Sequence, residues 1–479
     1  MVMHPRKFSL ALIALALAIA ACGFVTESAE KLGGAVSEEL AEARSEVVSD
    51  EEPEETEPGS EDEDDALLET PDEQTEELEQ IIDEAEAEPE ETLLPAPEIT
   101  LREIDGASEA VITHIAYVEA FWTEVANELN FDYVEVDATR LFPRSTIDGE
   151  ATCSFRRIVE PLDADIAEFN AYVAPCGEGI TVVWDDILLE PDLEARFPGV
   201  GMAMLISHEW GHVVQLEREQ FGQSDIIAEQ QADCYSGAYA AWAEDRGIEP
   251  FISDQALDFA IISTLETRDA VGSRPDDFGA HGNGFDRVRA TQEGYDRGVT
   301  FCASYDDTPP PITQAGFSTA RDRENEGNLS FDLTIELLVP AVVSYYESLS
   351  AESLEQFVDE PDDRILRDLH ATIGDVSIGT EYALRYGAAL QEANGDEVAG
   401  VGAALQRACL AGSFFNDAIE NGSTGEGDDA IELSPGDLDE AIITLTSSDE
   451  LLSNPGVVFE MVAALRVGTL DGIDACALA

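Results

Sequence analysis

The stretch Met202–Arg218, MAMLISHEWGHVVQLER, sets His208, Glu209 and His212 in the spacing H-E-x-x-H. Apart from Gly211 it holds neither glycine nor proline, so it predicts one unbroken helix. Side chains four apart share a helical face, and the two imidazoles can therefore reach one ion together. Glu209 stands one position round the helix, beside such an ion without binding it, where a carboxylate can take a proton from water. The chain has six histidines in all. Of the others, His114 and His370 lack a partner at ligand spacing and are not expected to bind metal.

A catalytic zinc centre takes three protein ligands and leaves a fourth position for water. The third ligand is sought on a later helix. Ile226–Asp245 predicts one, and in it Glu229 and Asp233 are again four apart. One of these carboxylates can bind the ion while the other accepts the free N–H of a ligating histidine and so fixes its tautomer. Around this pair, Ala107–Leu129 carries Val111, Ile115, Val118, Phe121, Trp122, Val125 and Leu129 at helical spacing. Gly179–Leu188 reads as a β-branched strand and Ser253–Thr264 as a further helix. The mixture predicts an α+β fold.

His208–Gln215 (HEWGHVVQ) followed by Glu229–Gly237 (EQQADCYSG) resembles the bacterial neutral zinc metallopeptidase family, which carries H-E-x-G-H-x-x-Q and then E-x-Q-A-D-C-x-x-G. His281-Gly282, a helix from Arg287 to Gly298, and Cys302 match the later parts of that pattern. Cys153, Cys176 and a hydrophobic strand with an aspartate match its upstream part. The resemblance covers roughly Ile99 to Tyr305. It implies a zincin-like fold with one zinc per chain on His208, His212 and Glu229, and with Asp233 behind the ligands. It also implies Glu209 as the general base and a peptide or protein substrate. Glu209 would accept a proton from water and return it to the leaving amine. His281 and Tyr235 are the candidates for a second oxyanion donor, and His281, in an exposed His-Gly loop, is preferred. A zinc-stabilised binding protein without turnover is the alternative use of the same residues.

The C-terminal part repeats this pattern in degenerate form. Gln231-Ala-Asp-Cys234-Tyr-Ser-Gly237 parallels Gln406-Arg-Ala-Cys409-Leu-Ala-Gly412, and Ser253–Asp258 parallels Ser434–Asp439. Trp210-Gly211 parallels Tyr386-Gly387, with Gln215 opposite Gln391. Leu384, Arg385 and Ala388 then stand where His208, Glu209 and His212 stand, while Ala404 and Ala408 replace Glu229 and Asp233. This second copy is expected to keep the helical scaffold and to bind no catalytic metal.

Cys302 follows Cys234 by 68 residues and Cys476 follows Cys409 by 67. The near-equal spacing favours the pairs 234–302 and 409–476, which leaves 153–176 among fifteen possible pairings of six cysteines. Paired cysteines point to an oxidising, extracytoplasmic compartment. The N-terminus agrees. Arg6 and Lys7 precede an apolar run from Phe8 to Ala21, and Ile19-Ala20-Ala21-Cys22 resembles the lipobox of bacterial lipoproteins. That resemblance implies lipidation at Cys22 and an exported chain tethered through it to the outer face of the bacterial cytoplasmic membrane or cell envelope. From Glu27 to about Glu98 the chain is acidic, has no aromatic residue and should form a disordered stalk. The expected divisions are 1–22 signal, 23–98 stalk, 99–310 first domain and 311–479 degenerate repeat. A formal net charge of −79 repels polyanions and excludes nucleic acid as a partner.

Overall fold

The computed structural model describes residues 93–476 apart from 148–151, 156–157, 163, 177–178, 221–223, 254, 397, 422–431 and 448–455. The signal segment, Cys22 and nearly all of the stalk lie outside the described residues. The described chain starts at Leu93. Leu94 N donates to Asp245 O at 2.8 Å, using a carbonyl that the end of a helix leaves without an internal donor.

The first half runs α1 (Glu109–Val125), β1 (Leu141–Pro143), β2 (Thr152–Phe155), β3 (Ile158–Pro161), β4 (Ala171–Cys176), β5 (Gly179–Trp184), α2 (Leu189–Arg196), α3 (Val200–Glu217), α4 (Asp225–Glu244), α5 (Gln255–Glu266) and α6 (Gly284–Ala303). The molecule is mostly helical with a small three-stranded sheet, an α+β arrangement. The sheet order is β1-β5-β4, with β1 parallel and β4 antiparallel to β5, while β2 and β3 pair separately. Alternation along β5 sends Val182 and Trp184 into the main core and Val183 into a small cluster with Leu162, Ala167 and Tyr172. The strand ends at Trp184 instead of running to Leu188. Asp185 turns the chain, its carboxylate accepting from the N–H groups of Phe169, Ile187 and Leu188.

Helix α1 begins at Ser108, whose Oγ accepts from Val111 N. Helices α3 and α4 are buried along almost their whole length, the condition of a helix that is apolar nearly all round. The histidine motif therefore sits in the middle of the core, in low dielectric. Helices α4 and α6 touch backbone to backbone. A Cβ at Gly237 would stand 1.8 Å from Thr291 O, and one at Gly294 would stand 1.8 Å from Cys234 O. Only glycine fits at either contact. The disulfide Cys234–Cys302 ties the same two helices.

The second half carries α7 (Val339–Leu349), α8 (Asp363–Thr372), α9 (Asp375–Asn394), α10 (Val401–Asn421), α11 (Asp437–Thr446) and α12 (Val457–Asp471). Its details repeat those of the first. A Cβ at Gly412 would lie 2.0 Å from Leu465 O, and one at Gly468 1.9 Å from Cys409 O. Cys409 bonds Cys476. Gln215 Nε2 donates to Ala228 O (2.7 Å) and Gln231 Oε1 (3.1 Å), and Gln391 Nε2 donates to Ala403 O (3.0 Å) and Gln406 Oε1 (2.7 Å).

The halves also cap each other. Asp258 on α5 accepts from Gly456 N (2.7 Å) and Phe459 N (3.0 Å) at the start of α12. Asp439 on α11 accepts from Gly284 N (3.0 Å) and Phe285 N (2.8 Å) at the start of α6. Each aspartate satisfies two N–H groups of the other half's helix. Ile261, Leu265, Phe285 and Val288 from the first half belong to the second hydrophobic core.

Candidate metal centre

His208 and His212 lie on α3, and Glu229 projects from the neighbouring α4. The three are 6%, 3% and 5% exposed, which leaves little water to solvate a charge there. His208 Nε2 and His212 Nε2 are 3.2 Å apart. Glu229 Oε2 is 3.2 Å from the first and 3.3 Å from the second. Tetrahedral ligands at zinc's 2.0–2.1 Å bonds are separated by about 3.3 Å. The triangle therefore has the dimensions of one face of such a tetrahedron. This buried group can bind a metal ion.

The protons point away from that face. His208 Nδ1 is 2.7 Å from Asp233 Oδ1, and His212 Nδ1 is 2.9 Å from Gln215 Oε1. An acceptor at each Nδ1 places the hydrogen there and leaves the Nε2 lone pairs facing Glu229. Three electron-rich atoms then converge on one another, and Glu229 Oε2 has no hydrogen-bond donor. Burial opposes a charged imidazole, yet Asp233 and Glu229 outweigh it and push His208 up to about 10. Against its own burial, Glu229 is held well below the usual carboxylate range by His212 and His281. The pocket is built to hold a positive charge.

Two outer residues were not assigned roles from the sequence. Gln215 lies three residues after His212 on the same helix, and its amide oxygen faces the imidazole because its Nε2 is engaged twice by α4. Arg287 closes on Asp233 with two bonds, Nε to Oδ2 and Nη2 to Oδ1, both 2.8 Å. The chain Arg287–Asp233–His208 thus runs from α6 through α4 to α3. Its helical spacing could have flagged Gln215. No local pattern links Arg287 to Asp233, 54 residues earlier.

Glu209 is 1% exposed, and its Oε2 has no hydrogen-bond partner. Burial raises its proton affinity, although His208 and His212 pull the other way. It lines a cleft of about 290 Å³ together with His208, His281, Leu193, Leu205 and Phe278. His281 Nε2 is 4.0 Å from Glu229 Oε2, and its Nδ1 is 3.3 Å from Asp269 Oδ1. Asp269 also accepts from the N–H groups of His281 and Gly282 and so fixes the loop. Tyr235 is elsewhere: its hydroxyl accepts from Arg218 Nη1 at 3.0 Å, and its ring packs edge-on against Trp122. His114 is buried on α1, where burial lowers it to about 4. His370 Nε2 meets Leu329 O at 2.9 Å.

Cys234–Cys302 and Cys409–Cys476 are bonded as spaced, which fits an oxidising, exported setting. Cys176 is also disulfide-bonded; the side chain of Cys153 lies outside the described residues. Among the described residues no helix is long and apolar enough to cross a membrane. No family model, curated protein or solved structure matches this chain.

Proposed function

We propose that this chain is a zinc-dependent peptidase, hydrolysing peptide bonds in peptides or proteins at the cell envelope and tethered there through Cys22. The observation that carries the reading is the triangle of His208 Nε2, His212 Nε2 and Glu229 Oε2, with a buried carboxylate, Glu209, next along the same helix and lining the same cleft. Zinc has borderline character and favours a mixed nitrogen and oxygen set of this size. When bound, it supplies a Lewis acid that acidifies water and polarises a carbonyl.

The protein's own groups do the rest. Asp233 and Gln215 hold the two imidazoles with Nε2 forward, and Arg287 holds Asp233. Glu209 receives the proton of the attacking water at Oε2 and passes it to the leaving amine; its buried setting keeps its proton affinity high enough for both transfers. His281, held at Nδ1 by Asp269, is the side chain that meets the developing oxyanion. Leu193 and Leu205 give the cleft an apolar wall suited to an apolar side chain beside the scissile bond.

The test compares wild type with Glu209→Gln on a peptide library read by mass spectrometry, with zinc measured by elemental analysis. Both proteins should carry one zinc per chain. Glu209→Gln should lose at least about 100-fold in turnover. A zinc-loaded wild type that cleaves nothing would sink the enzymatic reading and leave a zinc-stabilised binding protein.

A further inference from the structure

The second half has lost the residues that face the metal in the first, yet it holds a different cluster of its own. Asp375 opens α9, and Asp437 and Glu440 lie in the first turn of α11. One oxygen from each lies within 4.8 Å of one from each of the others. The three residues are 5%, 5% and 8% exposed. None of them forms an ion pair with a lysine or arginine among the described residues, and the nearby His370 spends its Nε2 on Leu329 O.

Hydrogen bonds satisfy only part of the cluster. Leu329 N donates to Asp375 Oδ2 (3.1 Å), Val376 N to Glu440 Oε2 (3.0 Å), and Ser434 donates its N–H (2.7 Å) and Oγ–H (2.6 Å) to Asp437. Asp375 Oδ1 is buried with no partner at all. Glu440 cannot swing far, because its carboxylate lies against Gly374, where a Cβ would meet Oε1 at 2.0 Å. Burial and mutual repulsion push Asp437 up to about 8 and Glu440 well above its usual range.

The scaffold itself does not call for these acids. The reciprocal caps make Asp258 and Asp439 equivalent, which sets Ala256 opposite Asp437 and Phe259 opposite Glu440. The matching Gln215 and Gln391 contacts set Gly199 opposite Asp375. In the first half the corner is apolar, with Phe259 packed edge-on against Phe197. Three buried carboxylates thus replace a glycine, an alanine and a phenylalanine at one place.

We propose that Asp375, Asp437 and Glu440 form a binding site for a hard divalent cation, calcium, which clamps α9 to α11. An all-oxygen donor set selects a hard cation over zinc. Calcium–oxygen bonds of 2.3–2.6 Å allow ligands up to about 5 Å apart, which accommodates the cluster, and calcium accepts an irregular cage of protein oxygens where magnesium demands near-ideal octahedral geometry and keeps several waters.

The experiment uses the full chain carrying His208→Ala, which disables the other centre, after chelation and desalting. Calcium should bind at one ion per chain by equilibrium dialysis with elemental analysis. At saturation it should raise Tm by about 5 °C. Glu440→Gln and Asp375→Asn keep side-chain size, so each should fold and each should lose the calcium response. The proposal is overturned if calcium neither binds nor shifts Tm. It is equally overturned if both variants keep the response, or if magnesium or zinc gives the shift and calcium does not.

Discussion

Gln215 and Gln391 offer a perturbation with its control inside the same molecule. Both amides donate twice across to the adjoining helix with matching partners, but only Gln215 presents its oxygen to an imidazole, at 2.9 Å. Gln391 presents its oxygen to Arg407 at 3.2 Å. Replacing either with leucine removes a donor from a glutamine oxygen, that of buried Gln231 or of half-buried Gln406, at a cost of about 1–3 kcal/mol in stability where the oxygen is buried. Ala228 O and Ala403 O lie within helices and keep their helical partners. Both variants should therefore destabilise the protein, Gln391→Leu by the smaller amount, by urea denaturation of the full chain. Their effects on metal should part. Losing the group that orients a ligating histidine costs about 10–100-fold in affinity, equivalent to about 1.4–2.7 kcal/mol. Competition against a chromophoric zinc chelator should show that loss for Gln215→Leu and none for Gln391→Leu. Equal zinc affinity in the two folded variants would refute the assignment of Gln215 as the residue that sets the His212 tautomer.

Gly237→Ala places a methyl 1.8 Å from Thr291 O, so α4 and α6 must separate; a loss of about 3 kcal/mol or more by denaturant melts is expected, whereas alanine at Gly395, which has nothing within 4 Å, should cost less than half of that even with its positive φ. Asp258→Ala and Asp439→Ala each strip two N–H groups of their partner, and each should cost about 2 kcal/mol; an effect below about 0.5 kcal/mol in both, no more than an ordinary surface substitution has, would show that the crossed caps do not hold the halves together. Stability should also fall as pH rises from about 5 to 8. Burial lifts Glu119 to about 7 despite Arg102, so the folded chain keeps a proton that the unfolded chain has already released above its ordinary value of 4.5. That contribution is full below the unfolded value and disappears as pH passes the folded one, up to about 3 kcal/mol. Glu119→Gln should flatten the Tm-against-pH curve over this window, and an unchanged slope would remove Glu119 from the account.

Much of the molecule was legible in the chain, for reasons that can be named. The helix around His208 was readable because its spacing is local and its breakers are absent, and its observed span, Val200–Glu217, differs from the expected one by two residues at the start and one at the end. The strand at Gly179 was readable by its β-branched run, but its end was not, since Asp185 ends it through bonds to a neighbouring loop. Tyr235 was one of two candidates for the oxyanion donor; folding turns its hydroxyl to Arg218. Leu93–Glu98 has no periodicity of its own, so its contact with the end of α4, Leu94 N to Asp245 O, had no signal in the sequence.

What the sequence determined by itself is whatever depends on one helix or on spacing repeated twice. The two imidazoles share a face because four residues make about one turn. The second copy lacks their counterparts because leucine, arginine and alanine occupy those places. The disulfide pairs follow from near-equal loops. Tertiary structure alone decided that Arg287 grips Asp233, that Asp258 and Asp439 cap across the halves, and that three carboxylates from α9 and α11 share one buried corner. Those partners lie tens to hundreds of residues apart. No local period records such meetings; they arise when backbone-close helix packing, permitted by a few glycines, brings distant turns to within hydrogen-bond reach.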